Sequence, residues 1–493
     1  VELCDAAGNE IDQVDYQLGF PWPTVGDSVP DAEPPTGTGH SIQLVNPYID
    51  NDLGGSWRSG YPTPTGSNFL VYLENPPPLM RQVEHSPKEP VGGEDVKITV
   101  KVTDSDGVNS VTLSYQLVRP ASYIQLNDSL YDTQWTSVAM RDDGMGGDEE
   151  ASDDIYSVVL AGATQTHRLL VRYRITAVDN TGASVTGPYA DDPAPNFAYF
   201  VYDGVPAWQG AARPGVTPVV EYGTDLMRSL PVYHLISKKT DVESSTWYSG
   251  YTGEAYLWYG TLVYDGEVYD HIRYRARGGV WRYAMGKNMW KFDFNRGHRF
   301  AARDDYGRTY DTEWDKLNFS ACIQQGDYWH RGEHGLFEAA GFRLFNFAGV
   351  PAPKTHWVQY RIIDESAETG STQYGGDFWG LYLVIEQMDG AFLDEHGLPD
   401  GNLYKIDNVY PNGGELNNQG PTAATNKSDL IAFMAGYAPN PAASWWTANV
   451  DVDRYFSFRT IVDGMHHYDI GAGKNYFYYL NPNTRIWSML PWD

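Results

Sequence analysis

Apolar and polar residues alternating at every second position constrain this chain more than any other feature. Val96, Ile98, Val100 and Val102 form one face of a run whose other face is Lys97, Thr99, Lys101 and Thr103. Val111, Leu113, Tyr115 and Leu117 repeat the pattern, as do Val171, Tyr173, Ile175 and Ala177. Side chains alternate across a β-strand with period two, so these runs make half-buried strands rather than amphipathic helices. Separated by turns such as Asp104-Ser105-Asp106-Gly107, they predict an antiparallel sandwich over 80–205, immunoglobulin or fibronectin type III in style.

At 493 residues the chain holds more than one domain. Residues 1–75 are rich in Gly, Pro, Asn and Asp, and short alternations such as Ser41-Ile42-Gln43-Leu44-Val45 predict another small β-sandwich with long loops. Pro76-Pro77-Pro78 separates the two, because successive prolines are extended and cannot join a sheet ladder. Asp203-Gly204-Val205-Pro206 marks the exit to a third region, 206–493, of mixed strands and helices. There Ile272 to Gly279 reads as a strand running into a glycine pair. Lys287 to Phe294 reads as the next, with Trp290, Phe292 and Phe294 facing away from Lys291 and Asp293. Leu336, Phe337, Ala340, Leu344 and Phe347 fall at helical spacing before Gly349-Val350-Pro351 ends the helix. Trp357 to Ile363 and Gly380 to Gln387 read as paired strands, and helices near Lys427–Ala435 and Val452–Gly464 predict a mainly helical second lobe.

Lys and Arg total 35 against 64 Asp and Glu, a net charge of −29 spread along the chain. That balance disfavours nucleic acid and anionic membranes and suits cationic partners. No apolar run approaches membrane-spanning length. Cys4 and Cys322 are too few for a disulfide scaffold and read as unpaired. Carboxylates at Asp142, Asp143, Asp148, Asp153 and Asp154, set among glycines, suit a calcium ion or are solvated turn acids; their spacing is not that of an EF-hand.

Near the end, Tyr476, Tyr478 and Leu480 alternate along one strand, and Asn481-Pro482-Asn483-Thr484 turns the chain into Ile486 to Leu490. A tight hairpin brings its two ends together, so Asp469, Asn475 and Asp493 would converge. Two carboxylates and an amide make a hard oxygen site suited to magnesium held with phosphate oxygens; ordinary polar loop residues are the equal alternative. His466 and His467 cannot both point inward from one helix face, so no zinc site is expected.

This segment resembles the signature end of the CotH family, the spore-coat protein H group of atypical kinases: an acid, a KNYYLY-like strand, then PWD. Here these are Asp469, Lys474-Asn475-Tyr476-Phe477-Tyr478-Tyr479 and Pro491-Trp492-Asp493. The resemblance extends upstream to about Leu230. The family's RGNSS…PKKSYKIKF is matched at Arg277-Gly278, Lys287 and Lys291 and departed from at Gly279-Val280-Trp281 and Asn288. Its GlYxLxE is matched by Gly380 to Glu386.

The chain is therefore expected to be multidomain, with the two N-terminal all-β sandwiches read above, and the resemblance implies an α+β protein-kinase-like domain over 206–493 that uses ATP with Mg²⁺ or Mn²⁺ to phosphorylate Ser or Thr. Lys287 or Lys291, with Arg277, would hold the phosphates, and Glu338 (or Glu333) would pair the strand lysine. Asp493 would bind the metal, Asn475 would assist there, and Asp469 would accept the substrate proton or serve the metal. Tyr382 and Trp487 would sandwich the adenine beside Glu386, with Trp487 equally a core residue. The run from Asn46-Pro47 through Trp57 to Asn68 resembles the closing half of a lamin-tail domain, common in secreted bacterial proteins, so an extracellular or cell-surface location is expected. The expected partner is a protein substrate, basic and Ser-rich, with neither nucleic acid nor a membrane span. The chain begins at Val1 and stops at Asp493, where the family's chain usually continues, so the kinase-like domain is expected to be truncated. The competing class is an inactive kinase-like surface adhesion protein; a glycosidase with paired carboxylates fits less well.

Overall fold

The computed structural model describes all residues except 25–39, 64, 69–74, 248–254, 279–286, 324–334, 407–413, 422, 439, 472 and 493. Glu333, Gly279-Val280-Trp281 and Asp493 therefore lie outside the described residues. Over the first region, β1 (Glu2–Cys4) pairs β2 (Glu10–Gln13), and β3 (Ser41–Leu44) pairs β4 (Trp57–Gly60).

The alternating runs form two facing sheets. One is β5 (Leu79–Ser86), β6 (Val96–Thr103) and β9 (Ile155–Leu160). The other joins β7 (Val108–Val118), β8 (Thr136–Ala139), β10 (Leu169–Asp179), β11 (Ser184–Gly187) and β12 (Phe197–Val201). Val96, Ile98, Val100 and Val102 meet Leu113, Val171, Tyr173 and Ile175 in one solvent-free core. Period-two patterning sets which residues face inward.

After β13 (Trp208–Gly210) and β14 (Val220–Tyr222), seven strands close into a barrel in the order β15, β16, β17, β18, β19, β21, β20. These are β15 (Val232–Ser237), β16 (Trp258–Tyr264), β17 (Glu267–Arg277), β18 (Met289–Asp293), β19 (Lys316–Ser320), β20 (Thr355–Ile363) and β21 (Phe378–Glu386). The β15–β20 pair that closes it is parallel, whereas the other pairs are antiparallel. Tyr233, Tyr274, Trp290, Phe292, Phe319, Tyr360 and Tyr382 fill the interior, so the barrel is packed solid.

The second lobe forms both expected helices, together with a four-stranded sheet of which only the final hairpin was expected. The final hairpin, β24 (Tyr476–Leu480) and β25 (Trp487–Pro491), recruits β22 (Asn402–Ile406) and β23 (Gly414–Asn418) into a four-stranded sheet. The helices Ser428–Tyr437 and Val452–Gly464 pack against it. The helix Leu336–Phe347 forms as expected but turns a different face inward: Ala339, Phe342 and Phe345 are buried, whereas Leu336, Phe337, Leu344 and Phe347 are exposed. This helix carries two apolar stripes, and only the narrower one meets the core.

Sandwich and barrel share an interface. Val118, Tyr123, Leu170 and Phe200 pack with Ile236, Val263 and Ile363 in one buried cluster. Arg168 donates to Asp377 at 2.7 Å and to the carbonyls of Ser366 and Glu365, and all three acceptors lie on the β20–β21 loop.

Candidate active site

The outer face of β17, β18 and β19 concentrates cations in an otherwise acidic chain. Arg275, Lys291 and Asn318 lie opposite one another across these strands. Cross-strand partners project from the same side, so the three form one row, opposite to the barrel residues Tyr274, Trp290, Phe292 and Phe319. Arg275 is buried although it faces outward, because the Tyr256 ring covers its guanidinium at 5.2 Å. Arg273, on the same face, is ion-paired with Asp293. Beyond Asn318 the face continues into Ile385 and Leu383, which belong to the core of the second lobe.

The two candidate lysines separate. Lys291 stands in the row with Arg275. Lys287 lies just before β18, with its ammonium donating to the Leu381 carbonyl and lying 3.9 Å from the centre of the Tyr382 ring. Gly380 makes room for it: its φ is +111°, and a Cβ there would stand 3.3 Å from Lys287 Nζ. Burial pulls the Lys287 amine down to about 8. A cavity of about 690 Å³ opens beside Lys287, with Glu243, Asp364, Glu365, Tyr374 and Trp379 in its lining.

Glu338 occupies the first turn of the helix Leu336–Phe347 and is half-buried. Burial pushes the Cys322 thiol up to about 12; the Lys287 ammonium opposes that shift and the Glu338 carboxylate adds to it. Lys287 and Glu338 therefore both act on this one buried thiol. Both cysteines are free.

Across the lobes, Asp469 sits in the short helix Tyr468–Gly471, and the Asn475 amide donates to its carboxylate at 2.8 Å. Asn475 adopts a left-handed φ of +55°, which asparagine tolerates better than most residues. The Trp492 amide donates to the Asn475 carbonyl at 3.0 Å, so the two ends of the hairpin do meet. The Arg277 guanidinium lies 5.6 Å from the centre of the Trp492 ring, and its buried Nη1 has no hydrogen-bond partner among the described residues. Arg277, Trp492, Asn475 and Asp469 thus form a continuous chain of contacts from barrel to second lobe. A carboxylate beside an amide suits a hard cation, and an unpartnered guanidinium nitrogen nearby suits an anion.

Three expected nucleotide contacts lie elsewhere. Tyr382 is wholly buried in the barrel interior, whereas Trp487 stacks on Phe433 at 4.7 Å in the second-lobe core, so the two do not sandwich a ring. Glu386 shares the parity of Tyr382 and Val384 along β21, opposite to Leu383 and Ile385. Its Oε2 accepts from the Lys354 amide at 2.9 Å and lies 3.1 Å from His396 Nε2. Arg275 and Asn318 were missed; for Arg275 the signal was its shared parity with Arg277 in the run Ile272 to Arg277.

In the sandwich, between β8 and β9, oxygens of Asp142, Asp148 and Asp153 lie within 4.8 Å of one another. Asp143 stands apart from that cluster, paired with Arg141 at 3.2 Å. Among the described residues no helix is long and apolar enough to cross a membrane.

No curated protein matches this chain. Residues 275–493 match the family model described as CotH kinase protein. The match begins within β17, at the first arginine of the row facing Lys291, and spans the second-lobe hairpin. Over residues 275–493, a little under half of its length, the chain is therefore similar to the CotH kinase protein family.

Proposed function

We propose that this protein is an ATP-dependent protein kinase, secreted or displayed at the cell surface, that moves the γ-phosphoryl group to Ser or Thr of a protein. The observation that carries this reading is the contact chain from Arg277 through Trp492 to Asn475 and Asp469, because phosphoryl transfer needs cations and a carboxylate held at fixed spacing across one cleft. Arg275, Arg277 and Lys291 would orient the phosphates, and Glu338 would steady the cationic wall. Asp469, held by Asn475, would accept the proton of the substrate hydroxyl. A bound Mg²⁺ or Mn²⁺, supported by Asn475 and Asp493, would supply charge neutralisation at the phosphates.

A basic, Ser-rich substrate is favoured by the net charge of −29 and by Glu243, Asp364 and Glu365 in the cavity beside Lys287. The lamin-tail and immunoglobulin-like readings of the modules before residue 206 support the extracellular setting. For the cluster of Asp142, Asp148 and Asp153 we propose Ca²⁺ as the ligand, since three carboxylate oxygens within 4.8 Å of one another suit a hard cation. Chelation should lower the melting temperature, and an unchanged melt at millimolar calcium would leave these as turn acids.

The function is tested by titrating MgATP into the protein and following ³²P transfer from labelled ATP to a basic serine peptide library. Binding with transfer supports the kinase. Binding without transfer to any peptide moves the adhesion reading ahead, and no binding removes the nucleotide from the account.

A further inference from the structure

β17 changes parity partway along its length. Tyr269 points into the barrel core, and so do Ile272 and Tyr274. Strict alternation from Tyr269 would instead carry His271, Arg273, Arg275 and Arg277 inward. A bulge intervenes. Leu262 of β16 pairs with Tyr269 and Gly260 pairs with Ile272, so Asp270 and His271 together oppose Thr261 alone. That extra residue reverses the faces and puts Arg273, Arg275 and Arg277 on the side of Lys291 and Asn318. His271 holds a left-handed φ of +54°, which a non-glycine residue keeps only where its surroundings impose it.

Those surroundings come largely from the preceding sandwich. Arg172 of β10 forks onto both oxygens of Asp270, at 2.6 and 2.9 Å. Asn196, just before β12, donates to Asp270 Oδ2 at 2.9 Å, and its own Oδ1 accepts from His271 Nε2 at 2.8 Å. Tyr131 steadies that amide by donating to the same oxygen at 2.6 Å. From the barrel come the Thr261 hydroxyl, 2.6 Å from Asp270, and the Asn295 amide, which binds the carbonyls of both bulge residues. Arg172, Asn196, Asp270 and His271 are all buried.

We propose that Arg172 and Asn196 are positioning residues for the candidate active site: by pinning the bulge, the sandwich fixes the face on which β17 presents its arginines. The sandwich is then a working part of the wall that meets the phosphates. That last step rests on the nucleotide reading above, and the test separates the two.

Two variants of the whole chain remove the pins without stranding a charge: Asn196→Ala, and the double variant Arg172→Met with Asp270→Asn. Hydrogen exchange is followed in β17 between 272 and 277, with β24 of the second lobe as internal reference, and MgATP is titrated in parallel. Exchange in β17 should accelerate by about tenfold or more while β24 keeps its wild-type rate. The Kd for MgATP should rise by about tenfold or more, as expected when phosphate-orienting groups are misplaced. Unchanged β17 exchange overturns the proposal. So does equal acceleration in β17 and β24, which marks general destabilisation, and so does loss of the fold in both variants. If the wild type binds no MgATP but exchange still changes only in β17, the positioning role stands and the nucleotide reading falls.

Discussion

Arg172 and Asp270 meet as a two-pronged fork, Nε at 2.6 Å from one carboxylate oxygen and Nη2 at 2.9 Å from the other, both side chains buried between sandwich and barrel. Burial pushes the Asp270 carboxyl up, but the charge and hydrogen bonds of Arg172 outweigh it and hold the group well below the usual carboxylate range. A pair of this kind is tolerated only as a pair. Arg172→Met should cost about 3–5 kcal/mol, because it leaves a buried carboxylate without its counter-ion. A chain cut at residue 206 carries the same defect and should melt well below the full chain. Adding Asp270→Asn to Arg172→Met should recover most of the loss. Urea melts of the single and double variants measure this, and equal midpoints for the two would show that the fork does not couple the modules.

The two lysines should respond differently. Lys287 is pulled down to about 8 by burial, so its ammonium loses its proton, and with it the charge that strengthens its bond to the Leu381 carbonyl, about two pH units below an ordinary lysine. Acetylation of Lys287, read by mass spectrometry at graded pH, should rise through a midpoint near 8, because only the neutral amine reacts. Lys291→Met should weaken MgATP binding by about tenfold or more, whereas Lys287→Met should change it by only a few fold, since Lys291 stands in the row with Arg275 and Lys287 is turned onto Leu381 and Tyr382. A midpoint near that of free lysine, or a reversed order of the two affinities, would overturn this division.

Much of this was legible from period and spacing. Lys291 against Trp290 and Phe292, and the hairpin that returns Trp492 to Asn475, follow from alternation and a turn sequence. The face of β21 was not legible, because Leu383 and Ile385 are as apolar as Tyr382 and Val384 and both faces are buried. The buried side of the helix Leu336–Phe347 failed for a related reason: two apolar stripes compete, and tertiary packing chooses. The bulge at Asp270-His271 carries no local signal, since neither residue is a glycine and its clamps, Arg172 and Asn196, lie 98 and 74 residues away from Asp270 in the chain. Sequence order hides such a contact until the sandwich is docked.

Cysteine chemistry offers an independent probe of the docked lobes. Cys4 is exposed and Cys322 is buried, with its thiol pushed up to about 12 by burial. The thiolate is the reactive form, so at pH 8 iodoacetamide should modify Cys4 within minutes and leave Cys322 until the lobes open. Labelling of both at similar rates in the native protein would place Cys322 at the surface instead of in the core with Leu383 and Phe342.

The contact between Asp469 and Asn475 allows the sharpest test of the proposed chemistry. If Asp469 takes the proton of the substrate hydroxyl, it acts mainly in the transition state. Asp469→Ala should then lower kcat by about 10²–10⁴ with little change in MgATP affinity. Asn475 acts through Asp469, so removing its amide should lower kcat by less. Its left-handed backbone adds a second consideration: Asn475→Gly keeps that conformation free of strain, whereas Asn475→Ala loses the amide and strains the turn as well. The glycine variant should therefore melt close to wild type and still be slow, and the alanine variant should be slow and less stable. Single-turnover transfer from labelled ATP, with melts on the same samples, reads both quantities. Wild-type turnover in Asp469→Ala would remove that residue from the proton step, and full activity in Asn475→Gly would show that the 2.8 Å bond does not position it.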